Sequence, residues 1–81
     1  MPAWSSSVHE GLISALVRAR KQAGLTQRDV ASRLNKPPSF IGKVEKIERN
    51  LSVSEFVAWC EAINAEPHVI LAAIRSNGSL S

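Results

Sequence analysis

Side chains able to make or break covalent bonds are few in this sequence, and none sits where a partner could activate it. Cys60 is the sole cysteine, so neither an intrachain disulfide nor a cysteine-based zinc cluster can form. His9 and His68 lie far apart, without a metal-ligating neighbour at useful spacing. No paired acids, no nucleophile with its base and no glycine-rich phosphate loop can be picked out. These patterns argue against an enzyme and call for no cofactor and no metal. What remains is hydrogen-bond donor chemistry, concentrated between Gln27 and Arg49. Ser39, Gly42, Lys43 and Lys46 recur three and four positions apart, so a helix would place them on one face. That face is small and basic, which a groove of bases and phosphates would accept.

Composition is compatible with such a surface but does not demand it. The 81 residues suit one small domain, and 44% hydrophobic content is a globular value. Ten Lys and Arg against seven acids give a net charge of +3, which permits a polyanionic partner. No apolar run reaches membrane-span length and no leader pattern is visible, so a soluble, cytoplasmic setting is the default expectation, with no membrane partner.

The elements that must position the donors are bracketed by their caps. Residues 1–6 read as a flexible N-terminal arm, with Trp4 its one large apolar residue. Ser7 and Glu10 fit a capping box at the start of a first helix. Leu12, Leu16, Ala19 and Ala23 then form an apolar stripe, and Gly24 stops the helix. Thr26 and Asp29 form the second box, flanked by Leu25 and Val30, and Asn35 closes that helix. Lys36-Pro37-Pro38 is a break, and Pro38 suits the first turn of a third helix. Phe40, Ile41 and Val44 face that helix inward, and its end is expected to fray over residues 47–50. Ser52 and Glu55 open a fourth helix carrying Phe56, Cys60 and Ile63, closed by Asn64. Pro67 opens a fifth, over about 67–76, ending at Asn77-Gly78. No segment alternates with the period of a strand. The expected fold class is all-α, with five helices in one domain over residues 7–77.

Two short helices joined by a tight turn must cross steeply. Ala31 is small enough for the close approach, and Asn35 tolerates the left-handed turn conformation. From Leu16 to Leu71 the chain resembles the lambda repressor and Cro-type helix-turn-helix family, the XRE family. The resemblance rests on Arg20, Gly24-Leu25-Thr26-Gln27, Val30-Ala31, Val44-Glu45, Arg49 and Ser52, all in register. Asn35 stands where a turn glycine is usual, and Ile47 where a glycine often ends the recognition helix.

The resemblance implies a lambda repressor-like DNA-binding domain and a sequence-specific transcriptional regulator, of repressor type, on double-stranded DNA. Gln27 then corresponds to a phosphate-contacting glutamine, with the Thr26 backbone N–H near it at the helix N-terminus. Pro38, Ser39 and Lys43 correspond to base-facing positions, and Lys43 can donate to guanine. Phe40 either packs on a thymine methyl or stays in the core. Lys46 and Arg49 are expected on phosphates. Arg20 and Glu45 correspond to an internal salt bridge. Helix-turn-helix proteins usually read paired half-sites, so a homodimer on a palindromic operator is expected. Trp59, Val69, Ile70 and Ile74, with the fifth helix, are its candidate interface; the alternative is that they complete the monomer core. A second reading of function keeps the fold without the DNA: an antitoxin-like or scaffold module with a protein partner.

Overall fold

The computed structural model describes residues 7–76. The N-terminal arm, Trp4 and the stop at Asn77-Gly78 lie outside the described residues. Five helices follow one another, α1 (Ser7–Gln22), α2 (Gln27–Leu34), α3 (Pro38–Glu45), α4 (Val53–Ala62) and α5 (Pro67–Ser76). No strand occurs among the described residues. Helix α1 packs along α5, and α2 packs against both α3 and α4.

Local chemistry accounts for where these helices begin. At α2 the Thr26 hydroxyl accepts from the Asp29 N–H at 3.0 Å, and the Asp29 carboxylate accepts from the Thr26 N–H at 2.8 Å. The same reciprocal box opens α4 between Ser52 and Glu55. Each box satisfies donors that a helix start leaves unpaired. Helix α3 has no side-chain cap and begins with Pro38, whose missing N–H is no loss there. Ser7 is already helical, so it is not the N-cap of α1 as its box pattern suggested.

The ends of α1 to α4 share one device. Each closes on a residue with left-handed backbone: Gly24 (φ 74°), Asn35 (59°), Ile47 (60°) and Asn64 (58°). In each case that residue and its successor donate back into the last turn, as in Lys36 N to Ala31 O at 2.9 Å and Glu48 N to Lys43 O at 2.8 Å. This is the Schellman arrangement, and it satisfies carbonyls that would otherwise be orphaned. Helix α3 therefore stops sharply after Glu45 instead of fraying to residue 50.

The core gathers Ile13, Leu16, Val30, Ala31, Ile41, Val44, Trp59 and Cys60, all almost fully buried. The stripe of α1 is shifted from the expected one. Ile13, Ala15 and Leu16 are buried, Leu12 and Ala19 only partly, and Ala23 is exposed. Burial pushes the Cys60 thiol up to about 11, which keeps it protonated and inert.

Two alternatives that the sequence leaves open, for Phe40 and for Trp59 with the fifth helix, are decided by burial. Phe40 is 9% exposed and packs toward Trp59, with ring centroids 6.4 Å apart, so it belongs to the core and not to an outer face. Trp59 is completely buried, and Ile70 and Ile74 are 5% and 4% exposed. These three complete the monomer core and have no surface to offer a second copy. Val69, at 55% exposed, is the member of that set still open to solvent.

Ile47 is the anomaly among the helix ends. A β-branched residue in left-handed backbone carries strain of about 1–2 kcal/mol. It is held there because its side chain packs against the core. Ile47→Ala keeps the strain and loses the packing, whereas Ile47→Gly loses the packing but removes the strain. The glycine variant should therefore be the more stable by about 1 kcal/mol, the reverse of the usual helix order. Denaturant midpoints of the two variants check this, and equal midpoints would mean that position 47 carries no such strain.

Candidate nucleic-acid interface

The surface that could meet a nucleic acid is built from two elements, the start of α2 and the outer face of α3. Ile41, Val44 and Phe40 turn inward, which obliges Ser39, Lys43 and Lys46 to point out. All three are exposed, as are Pro38, Thr26, Gln27 and Arg28.

A buried charge network fixes the angle between these elements. Arg20, on the last turn of α1, donates from Nε to Glu45 Oε2 at 2.7 Å and from Nη2 to Glu45 Oε1 at 3.1 Å. Its Nη1 donates to the carbonyl of Leu25 at 2.8 Å, in the turn before α2. The two side chains are 9% and 7% exposed, so this fork-to-carboxylate pair is shielded from water. Glu45 Oε1 accepts a further bond, from Gln27 Nε2 at 2.8 Å. One carboxylate on α3 thus ties together the end of α1 and the start of α2.

The remaining sequence-derived positions divide between outer surface and internal bracing. The Thr26 backbone N–H donates to Asp29, and its hydroxyl accepts from the Asp29 N–H. The backbone donors left at this helix start are the N–H groups of Gln27 and Arg28, which helix geometry leaves without an intrahelical acceptor. The expected use of the Thr26 N–H is corrected accordingly. Arg49 is engaged within the fold, although its side chain stays 41% exposed. It donates to both oxygens of Glu55 at 3.0 and 3.1 Å and to the Asn50 carbonyl at 2.6 Å. Its guanidinium also lies 4.6 Å from the centroid of the Phe40 ring, and Lys36 approaches the same ring at 5.4 Å. Arg49 therefore braces the α3–α4 loop against α4. Sequence reading passed over Arg33, which donates to the Ala62 carbonyl at 2.6 Å and so caps the end of α4 from α2. A late-helix arginine gives no local sign of a partner so distant in the chain.

Among the described residues no group of three potential metal ligands occurs, and no helix is long and apolar enough to cross a membrane.

The helix-turn-helix family profile matches residues 16–70, and the chain belongs to this family in its XRE branch. Three solved structures share its architecture. An XRE-family-like protein from Pseudomonas syringae pv. tomato is 37% identical, with TM-score 0.82, over 86% of this chain and 85% of that one. The clp gene regulator ClgR from C. glutamicum is 23% identical, with TM-score 0.80, over 91% and 96%. A mutant of the restriction-modification controller protein C.Esp1396I is 21% identical, with TM-score 0.81, over 89% and 91%. No curated protein matches the sequence. Membership places the chain among DNA-binding proteins that regulate transcription, on a five-helix, lambda repressor-like fold.

The brace at Arg49 also sets an acid response. The Arg49 guanidinium, followed by the Ser52 N–H, holds the Glu55 carboxyl down at about 2 instead of 4.5. The folded state thus favours the ionised form. The resulting stabilisation is fully present above the ordinary value and is lost as pH falls through the window from 4.5 to about 2. Glu55→Gln should be less stable than the parent at neutral pH, and the gap should close across that window. Thermal unfolding along a pH series measures it; a gap that stays constant would show that Glu55 does not hold its charge through Arg49.

Proposed function

We propose that the chain is a repressor-type regulator that lays α3 in the major groove of double-stranded DNA. One observation carries this: the outward residues of α3 and the open start of α2 form a continuous surface, locked in relative orientation by the Arg20–Glu45–Gln27 network. The groove admits a helix, and the start of α2 offers N–H groups and a favourable dipole to a phosphate on its wall. In this reading Lys43 and Ser39 face base edges. Lys46 meets phosphate near the end of α3, and Gln27 meets the phosphate at the start of α2. Pro38 offers apolar contact alone. Binding is as a homodimer on a palindromic operator, with recognition helices one duplex turn apart, about 34 Å. Val69 and Leu71, exposed on α5, are large apolar residues of that helix available for pairing.

A protein-interaction module remains the second reading, and exposed apolar residues favour it. Val53 is 80% exposed, and Val57, one turn later on α4, is 40% exposed. Loss of that surface with DNA binding intact would assign it to a partner.

Lysine substitutions separate reading from holding. Lys43→Ala should lose about 1–3 kcal/mol on the selected duplex and much less on a scrambled one. Lys46→Ala should weaken both by a similar factor and shallow the salt slope by roughly one unit. Titrations at several salt concentrations decide it. Equal loss on both duplexes for Lys43→Ala would remove Lys43 from base reading, and an unselective parent protein would remove the proposal itself.

A further inference from the structure

Resting on the proposed contact between Gln27 and DNA, we infer that Glu45 is the positioning residue for it: the same carboxylate that pairs with Arg20 orders the Gln27 carboxamide before DNA arrives. Gln27 is exposed and starts its helix, and an exposed glutamine ordinarily samples several rotamers. Freezing it on binding would forfeit conformational entropy. Here Nε2 is already held at 2.8 Å by Glu45 Oε1. That acceptor is itself immobile, because Arg20 grips both carboxylate oxygens and the Glu45 side chain is 7% exposed.

The chemistry of the carboxamide makes such sharing possible. Nε2 carries two hydrogens, so one bond to Glu45 leaves the other for a phosphate oxygen. The charge of Glu45 is offset by Arg20, so the carboxylate orders Gln27 without presenting a bare anion to the backbone of DNA. Gly42 completes the seat. A Cβ there would come 3.8 Å from Gln27 Oε1, so the carboxamide lies directly over the glycine, on the outward side of α3. Preorganisation of this kind raises affinity by lowering the ordering penalty of binding, not by adding a contact.

The test is the effect of Gln27→Ala in three backgrounds: the parent, Glu45→Gln and Glu45→Met. Both Glu45 variants remove the charge facing Arg20, but only glutamine keeps an oxygen able to accept from Gln27. Affinity is measured below the unfolding transition, on the duplex that the parent selects from random DNA. Gln27→Ala should weaken binding about tenfold in the parent and in Glu45→Gln, as for a hydrogen bond to a charged group, and by less than about twofold in Glu45→Met. The same factor in all three backgrounds overturns the inference. So does a parent that binds its duplex equally well without Gln27, an outcome that leaves the proposed function standing. Failure of the parent to select any duplex removes both. Should the Glu45 variants not fold, side-chain ¹⁵N relaxation in the free parent decides: a rigid Gln27 carboxamide supports the inference and a freely rotating one overturns it.

Discussion

A buried guanidinium sets the terms for this small structure. Arg20 is 7% exposed, and a cation so placed must have its donors satisfied. It meets that requirement with acceptors from two other parts of the chain, the Leu25 carbonyl and the Glu45 carboxylate. The end of α1, the turn before α2 and the end of α3 therefore meet at one charge. The pair does not have to add net stability to matter, since a well-packed apolar pair could do as well. What it supplies is direction: the fork of the arginine accepts one geometry of carboxylate, and that geometry fixes how α3 leaves the body of the domain.

The described cations divide by position and not by residue type, since Arg18 and Arg28 are exposed like the lysines. Arg20, Arg33 and Arg49 each reach a carbonyl or carboxylate of a neighbouring segment and brace the fold. Lys43 on α3 and Lys46 at its C-cap are exposed. A planar fork with several donors suits the fixed internal acceptors that the three bracing arginines reach. Arg20 and Arg49 are offset by Glu45 and Glu55, so these internal pairs take nothing from the net charge of +3.

Much of the fold was legible because its boundaries are written locally. Thr26 with Asp29 and Ser52 with Glu55 announce helix starts within four residues, and Gly24, Asn35 and Asn64 announce ends by their tolerance of left-handed backbone. Ile47 could not be read this way, because its conformation is imposed by packing against the core, in spite of its own preference. The face of α3 was legible for the same local reason, through the spacing of Ile41 and Val44. Phe40 lay between two possible faces, and only its neighbours Trp59 and Arg49 decide it. Trp59 looked like an anchor for a partner because aromatic residues often are; its complete burial is a tertiary fact with no local signature. The roles of Arg33, Arg49 and Gln27 depend likewise on which groups the fold brings near.

The Arg20–Glu45 pair works as a unit that holds in place the elements proposed to face DNA. A double-mutant cycle in chemical denaturation tests it most directly, with Arg20→Met, Glu45→Met and the two combined. Each single change strands a charge shielded from water and should lose about 3–5 kcal/mol. The double variant leaves no charge stranded and should lose clearly less than the sum of the singles. Losses that simply add would contradict the account, because the two residues would then be acting independently.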